Sequence, residues 1–94
     1  MKLQNRYLSV IVIQHWRTLI EIEEMLAHVD YLMHIAGSKC DSWVDAQDLV
    51  QETILDGLHA IRKGKDINNA RNWLYTVLNR KYYDLLREKY RKPL

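Results

Sequence analysis

The chain has 94 residues, of which 48% are apolar, with three glycines, one proline and a formal net charge of +2. That composition can fill one small core, and it holds too little Gly and Pro for a turn-rich β sandwich or barrel. The lone Cys40 excludes an internal disulfide and fits a reducing compartment.

The small net charge hides an uneven distribution. Residues 1–39 hold four acids and four bases. Residues 40–62 hold five acids (Asp41, Asp45, Asp48, Glu52, Asp56) against Arg62, a net of −4. Residues 63–94 hold nine bases against Asp66, Asp84 and Glu88, a net of +6. One stretch suits a basic protein surface and the next a polyanion.

In chain order, the first apolar run is Tyr7 to Ile13, preceded by Lys2 and Arg6. It is too short to span a bilayer, and Gln14-His15-Trp16-Arg17 offers no small-residue cleavage site. A cytoplasmic protein with no membrane partner is expected. The β-branched content of the run suits a strand, but a lone strand has nothing to pair with. Residues 1–17 are therefore expected to form a short helical extension packed on the bundle.

Thr18 and Glu21 form a candidate capping box for the next helix. Its apolar positions Ile22, Met25, Leu26, Val29, Leu32, Met33 and Ala36 recur at helical spacing, and Gly37 is the expected stop. Ser42 or Asp41 can cap a second helix, spanning 42–62, with Asp45 complementing its dipole. If Val50 marks the centre of its buried face, Ala46, Ile54, Gly57, Leu58 and Ile61 fall within about 80° of it. Asp48, Glu52, Leu55 and His59 then face outward, flanked by Asp45 and Asp56. Gly64 is the expected close, and Lys63 to Asn69 a polar loop.

The third helix is expected to start near Asn68 or Asn69 and run, without Gly or Pro, to about Lys92. Ala70, Leu74, Val77, Leu78 and Leu85 form its core stripe. Lys81 falls on that stripe, so it must snorkel outward or mark the end of the packing. The outward side carries Asn72, Thr76, Asn79, Arg80, Tyr83, Arg87 and Tyr90, with Trp73, Tyr75 and Arg91 at the margins. Aromatics among cations suit unpaired nucleic acid, whose bases stack on rings while phosphates meet the charges. Periodicity alone would bury Trp73, and Arg80, Arg87 and Arg91 can pair with Asp84 and Glu88 along the helix. The expected fold is an all-α bundle of three core helices in one domain, residues 18–94, behind the N-terminal extension.

His15, His28, His34, His59 and Cys40 show no metal-ligand spacing. Ser9, Ser38 and Ser42 lack a nucleophile elbow, and there is no glycine-rich phosphate loop. No enzyme activity, metal or cofactor is expected.

Three segments resemble region 2 of RNA polymerase sigma factors, most closely the extracytoplasmic-function type. Asp45-Ala46-Gln47-Asp48-Leu49-Val50-Gln51-Glu52-Thr53-Ile54 is similar to that family's Asp-Ala-Glu-Asp-Leu-Val-Gln-Glu-Thr-Phe. Ala70-Arg71-Asn72-Trp73-Leu74-Tyr75-Thr76-Val77 resembles Pro-Arg-Ala-Trp-Leu-Phe-Thr-Ile, and Asp84-Leu85-Leu86-Arg87 matches the closing Asp-Leu-Leu-Arg. The resemblance covers about residues 19–92. It implies that the acidic helix docks on the clamp helices of the largest subunit of core RNA polymerase through Asp48, Gln51 and Glu52, with Asp45 and Leu55 on the same face. It also implies that the loop and long helix capture the melted non-template strand of the promoter's minus-ten element. On that reading the DNA-binding set is Lys63, Lys65, Asn68, Asn69, Arg71, Asn72, Trp73, Tyr75, Thr76, Asn79, Arg80, Tyr83 and Arg87. An anti-sigma factor is a further candidate partner.

The departures are local. Asn79-Arg80-Lys81 stands where Arg-Asn-Arg is common, Ala70 replaces a Pro, Ile54 replaces a Phe, and the loop 63–69 is unlike the family's usual loop. The family's second, helix-turn-helix domain has no counterpart within these residues, which fits either a piece of a longer protein or a one-domain factor. Two rival readings are a helical interaction module that occupies polymerase without reading DNA, and a duplex reader. The duplex reader fits less well, since a stretch of over twenty residues exceeds the short recognition helix of such motifs.

Overall fold

The computed structural model describes the backbone of residues 2–91 and the side chains of residues 10–91. Among the described residues the fold is all-α, with four helices: α1 (Lys2–Leu26), α2 (Val29–Lys39), α3 (Trp43–Arg62) and α4 (Ala70–Lys89). α3 packs against each of the other three helices. Their shared core consists of Met25, Leu32, Ala36, Ala46, Leu49, Val50, Ile54, Ile61, Leu74 and Leu78.

The N-terminal half departs from the expected boundaries. Thr18 does not cap a helix. Its hydroxyl donates to the Gln14 carbonyl oxygen at 3.0 Å, inside a continuous α1. The segment before it has no Gly or Pro to interrupt it, and an interior Thr can satisfy its hydroxyl on the preceding turn. The extension is helical as expected, but Val10 to Ile20 are exposed rather than packed on the bundle.

The helix expected from Thr18 to Ala36 is instead split at Ala27 and His28. There the His28 N–H bonds to Met25 O at 3.1 Å, tightening the last turn of α1 before α2 begins. No breaker residue marks this corner, which lies between two helices that each pack on α3. Gly37 does not stop α2 either. The helix runs on to Lys39 and ends where Cys40 turns extended, its N–H still bonded to Ala36 O.

From residue 40 to the start of α4 the boundary signals act as expected. Ser42, rather than Asp41, caps α3, its hydroxyl oxygen accepting from the Asp45 N–H at 3.1 Å. Val50, Ala46, Ile54, Gly57 and Ile61 are buried and Leu58 half-buried. Leu49 and Thr53 widen that face. The Thr53 hydroxyl donates to Leu49 O at 2.7 Å, which removes the cost of burying it.

Gly64 closes α3 at φ +80, a conformation that favours glycine. Lys65 N–H bonds to Ala60 O and Gly64 N–H to Ile61 O, both at 2.9 Å, so the last carbonyls are satisfied by a Schellman turn. Asn69 caps α4, its side-chain oxygen accepting from the Asn72 N–H at 3.1 Å.

Ala70, Leu74, Val77 and Leu78 are buried on α4. Leu85, expected on that stripe, is 37% exposed. Half-buried Tyr82 packs against the core, and its hydroxyl donates to Lys39 O at 3.2 Å. Lys81 snorkels, and its ammonium reaches Asp56 at 3.0 Å. α4 ends at Lys89, and Lys92, the expected limit, lies outside the described residues.

Candidate functional site

The outward side of α3 is an acidic ridge. Asp48, Gln51, Glu52 and Leu55 are exposed, and Asp45 is half-buried at the N-terminal turn. Among the described residues, Asp48 and Glu52 have no ion-pair partner, whereas Asp56 is bound to Lys81. The sequence reading missed Val44, which is exposed. At 100° per residue, Val44, Asp48, Gln51 and Leu55 span about 60° of the helix surface, at the i, i+4, i+7, i+11 spacing of a seam for another helix. Leu55 is 52% exposed at the C-terminal end of that seam. Its apolar surface among acids suits a partner with both cations and a hydrophobic stripe.

The basic side is assembled from the α3–α4 loop and the outward face of α4. Lys65, Asn72, Trp73, Thr76, Val77 and Arg80 line one concavity. A neighbouring concavity shares Lys65, Trp73, Val77 and Arg80, and adds Lys63, His59, Ala60 and Asp56. Lys65 is carried by the Schellman exit of α3, Trp73 by the first turn of the Asn69-capped helix. The two caps bring the Lys65 ammonium to 5.5 Å from the centre of the Trp73 ring. Trp73 is half-buried, so one part of the indole packs on the core while the rest faces the groove.

Other members of the predicted set lie differently. Tyr83, 58% exposed, and Arg80 stand on the outward face with Asn72 and Thr76. The Thr76 hydroxyl is spent on Asn72 O, at 2.9 Å. Asn79 is half-buried, and its side-chain oxygen is buried without a hydrogen-bond partner. Arg87 is exposed and paired with Asp84. Asn68 is exposed in the loop, whereas Asn69 is committed to its cap. Arg71 and Tyr75 occupy another side of α4, where the Arg71 guanidinium lies over the Tyr31 ring at 3.7 Å.

Burial pushes the Cys40 thiol above its ordinary pKa, with Asp45 and Asp41 adding to the shift. It is a protonated thiol, and a poor nucleophile. Among the described residues, no group of three His, Cys, Asp or Glu could hold a metal ion, and no helix is long and apolar enough to cross a membrane.

The arrangement can do two things chemically. The ridge can receive a cationic and apolar helix, while the groove can hold a flat ring beside Trp73 and a phosphate near Lys65, Lys63 and Arg80. The family model described as sigma-70 region 2 matches residues 25–92, which takes in α2, α3, α4 and every residue of both faces. No solved structure matches the chain.

Proposed function

Because the chain belongs to the sigma-70 region 2 family, a non-catalytic family that binds RNA polymerase and promoter DNA in transcription initiation, we propose that its two faces divide those tasks between them. The ridge of Asp45, Asp48, Gln51, Glu52 and Leu55 docks on the clamp helices of the largest polymerase subunit. The groove of Lys63, Lys65, Trp73, Thr76 and Arg80, continued by Tyr83, holds the non-template strand of the minus-ten element once the duplex opens. Arg71 and Tyr75 are peripheral to that path, and Asn69 acts by fixing the start of α4.

The observation that carries this reading is the meeting of Lys65 with Trp73 across the loop–helix junction. A base lifted from its stack needs a ring to lie against and a cation for its phosphate, and the junction offers both within one groove. The loop sequence differs from the family's usual one, so the family's base preference does not carry over to this chain. The protein acts in the cytoplasm, and an anti-sigma factor that covers both charged faces would silence it.

Binding of fluorescent single-stranded promoter oligonucleotides, with the domain held on core polymerase, tests the assignment. Minus-ten strands should bind more tightly than scrambled strands or duplex. Equal affinity for scrambled strands would reduce the groove to a generic cation surface. Polymerase binding with no oligonucleotide bound at all would favour a decoy that docks without reading DNA.

A further inference from the structure

α1 carries two apolar faces, and the bundle uses only one. Met25 is buried and Ile22 half-buried against the other helices. Val12, Ile13, Trp16, Leu19 and Ile20 are all exposed, Trp16 by 64%, and four of them line a shallow apolar groove with Arg17 and Glu21. At 100° per residue, this stripe centres about 150° around the helix from the Ile22–Met25 side. It is therefore not a frayed edge of the core but a separate surface, covered by none of the described residues. Ile13, Trp16 and Ile20 repeat at the 3-4 spacing of a helix–helix seam.

The charges of α1 show what fits there. Residues 2–20 contain Lys2, Arg6 and Arg17 and no acid, whereas residues 21–24 contain Glu21, Glu23 and Glu24 and no base. Arg17 engages Glu21 within the helix at 3.6 Å, while Glu23 and Glu24 have no cation partner among the described residues. Two such helices side by side in the same direction would set like charges together. Turned end for end, each acidic end meets the basic half of the other. A surface that is complementary to itself under a two-fold rotation is the signature of an isologous dimer.

We infer that the outward stripe of α1 seats the same stripe of a second copy of this chain, antiparallel, with Trp16 near the two-fold axis. A stable interface usually removes about 800 Å² from each partner. Five side chains over two to three turns supply less, so the pair is weak, with a Kd on the order of micromolar. The two bundles lie at opposite ends of the paired helices, which leaves α3 and α4 uncovered in both copies.

Sedimentation equilibrium of the whole 94-residue chain, from about 1 to 200 µM, tests the inference across the expected range. The weight-average mass should climb from 11.3 kDa towards twice that value. Trp16→Asp should hold it at the monomer value while leaving helicity and melting temperature unchanged, because the position is exposed. Glu24→Lys should weaken association about tenfold at low salt and less at high salt. A monomer at every concentration would overturn the proposal, as would association undiminished in Trp16→Asp. A monomer that floats with anionic phospholipid vesicles would also overturn it and assign the stripe to a lipid surface. Association strengthened by Glu24→Lys would rule out the antiparallel arrangement.

Discussion

The Lys89 ammonium lies 2.7 Å from a carboxylate oxygen of Asp41, tying the end of α4 to the turn between α2 and α3 across 48 residues of sequence. The Tyr82 hydroxyl reaches Lys39 O in the same clasp, and the Lys39 ammonium sits 5.3 Å over the Tyr82 ring. The hydrogen bond from Lys89, reinforced by its charge, holds the Asp41 carboxyl below the usual carboxylate range, and Lys89 is raised in turn.

This clasp has a pH signature. Asp41's folded pKa is depressed, so its contribution is full above the unfolded value of about 4 and is lost as pH falls through the lower folded value. Lys89's is raised, so its contribution is full below about 10 and is lost as pH rises through the higher folded value. Asp41→Asn should flatten the acid limb of melting temperature against pH, by a small amount because the pair is exposed. Circular dichroism melts between about pH 2 and 5 read this directly. An acid limb identical to wild type would show that the pair is not held in solution.

The docking ridge gives a cleaner separation of stability from binding. Asp48→Lys and Glu52→Lys should weaken capture by core polymerase while changing stability by less than about half a kcal/mol, since both side chains face solvent. Val44→Asp should do the same if the seam at that spacing is the contact. Pull-down with purified core polymerase, read beside a thermal melt of each variant, checks all three.

For the groove, Tyr83→Ala should remove a stacking contribution of about 1–3 kcal/mol if a base rests on that ring. Lys65→Gln should lower the slope of log affinity against log salt by about 0.7, the share of one neutralised phosphate on a single strand. Arg80→Ala should impair promoter opening in a permanganate footprint. All three should leave polymerase capture intact, and normal transcription from Tyr83→Ala and Arg80→Ala would place the strand on another side of α4.

Gly57 marks a close approach of α3 to Met25 on α1 and Leu74 on α4. A Cβ there would sit 2.8 Å from Met25 Sδ, 3.1 Å from its Cε and 3.4 Å from a Leu74 methyl. Gly57→Val should therefore cost about 1–3 kcal/mol by overpacking. Gly57→Ala should cost less, because the flexible Met25 end can shift and a gain of about 1 kcal/mol in helix propensity offsets the crowding. Chemical denaturation midpoints for the pair give the order.

Where a boundary is written in local chemistry, the sequence disclosed it. The Ser42 cap, the Gly64 exit and the Val50-centred face of α3 follow from a hydroxyl, a missing Cβ and the 100° step. The corner at Ala27 and His28 was hidden because neither residue breaks helices and only packing on α3 turns the chain there. Gly37 and Thr18 misled for the opposite reason, each being a boundary residue that helices tolerate in their interior. At the candidate site, periodicity showed which side of α3 and α4 faces out. It could not show that Arg71 lies over Tyr31 or that Lys65 meets Trp73, since those meetings join residues on different elements. Nor did it find Val44, an apolar residue whose exposure beside the acidic ridge is visible only in the folded chain.

The Asp56–Lys81 pair bears on the groove as well as on the core. Asp56 stands on the rim of the concavity that also holds Lys63, Lys65 and Arg80, where a bare carboxylate would repel an approaching phosphodiester. Lys81 mutes that repulsion from behind, without itself being one of the groove's lining residues. On the proposed reading, a lysine on the inner side of the helix thus makes the outer side more welcoming to nucleic acid.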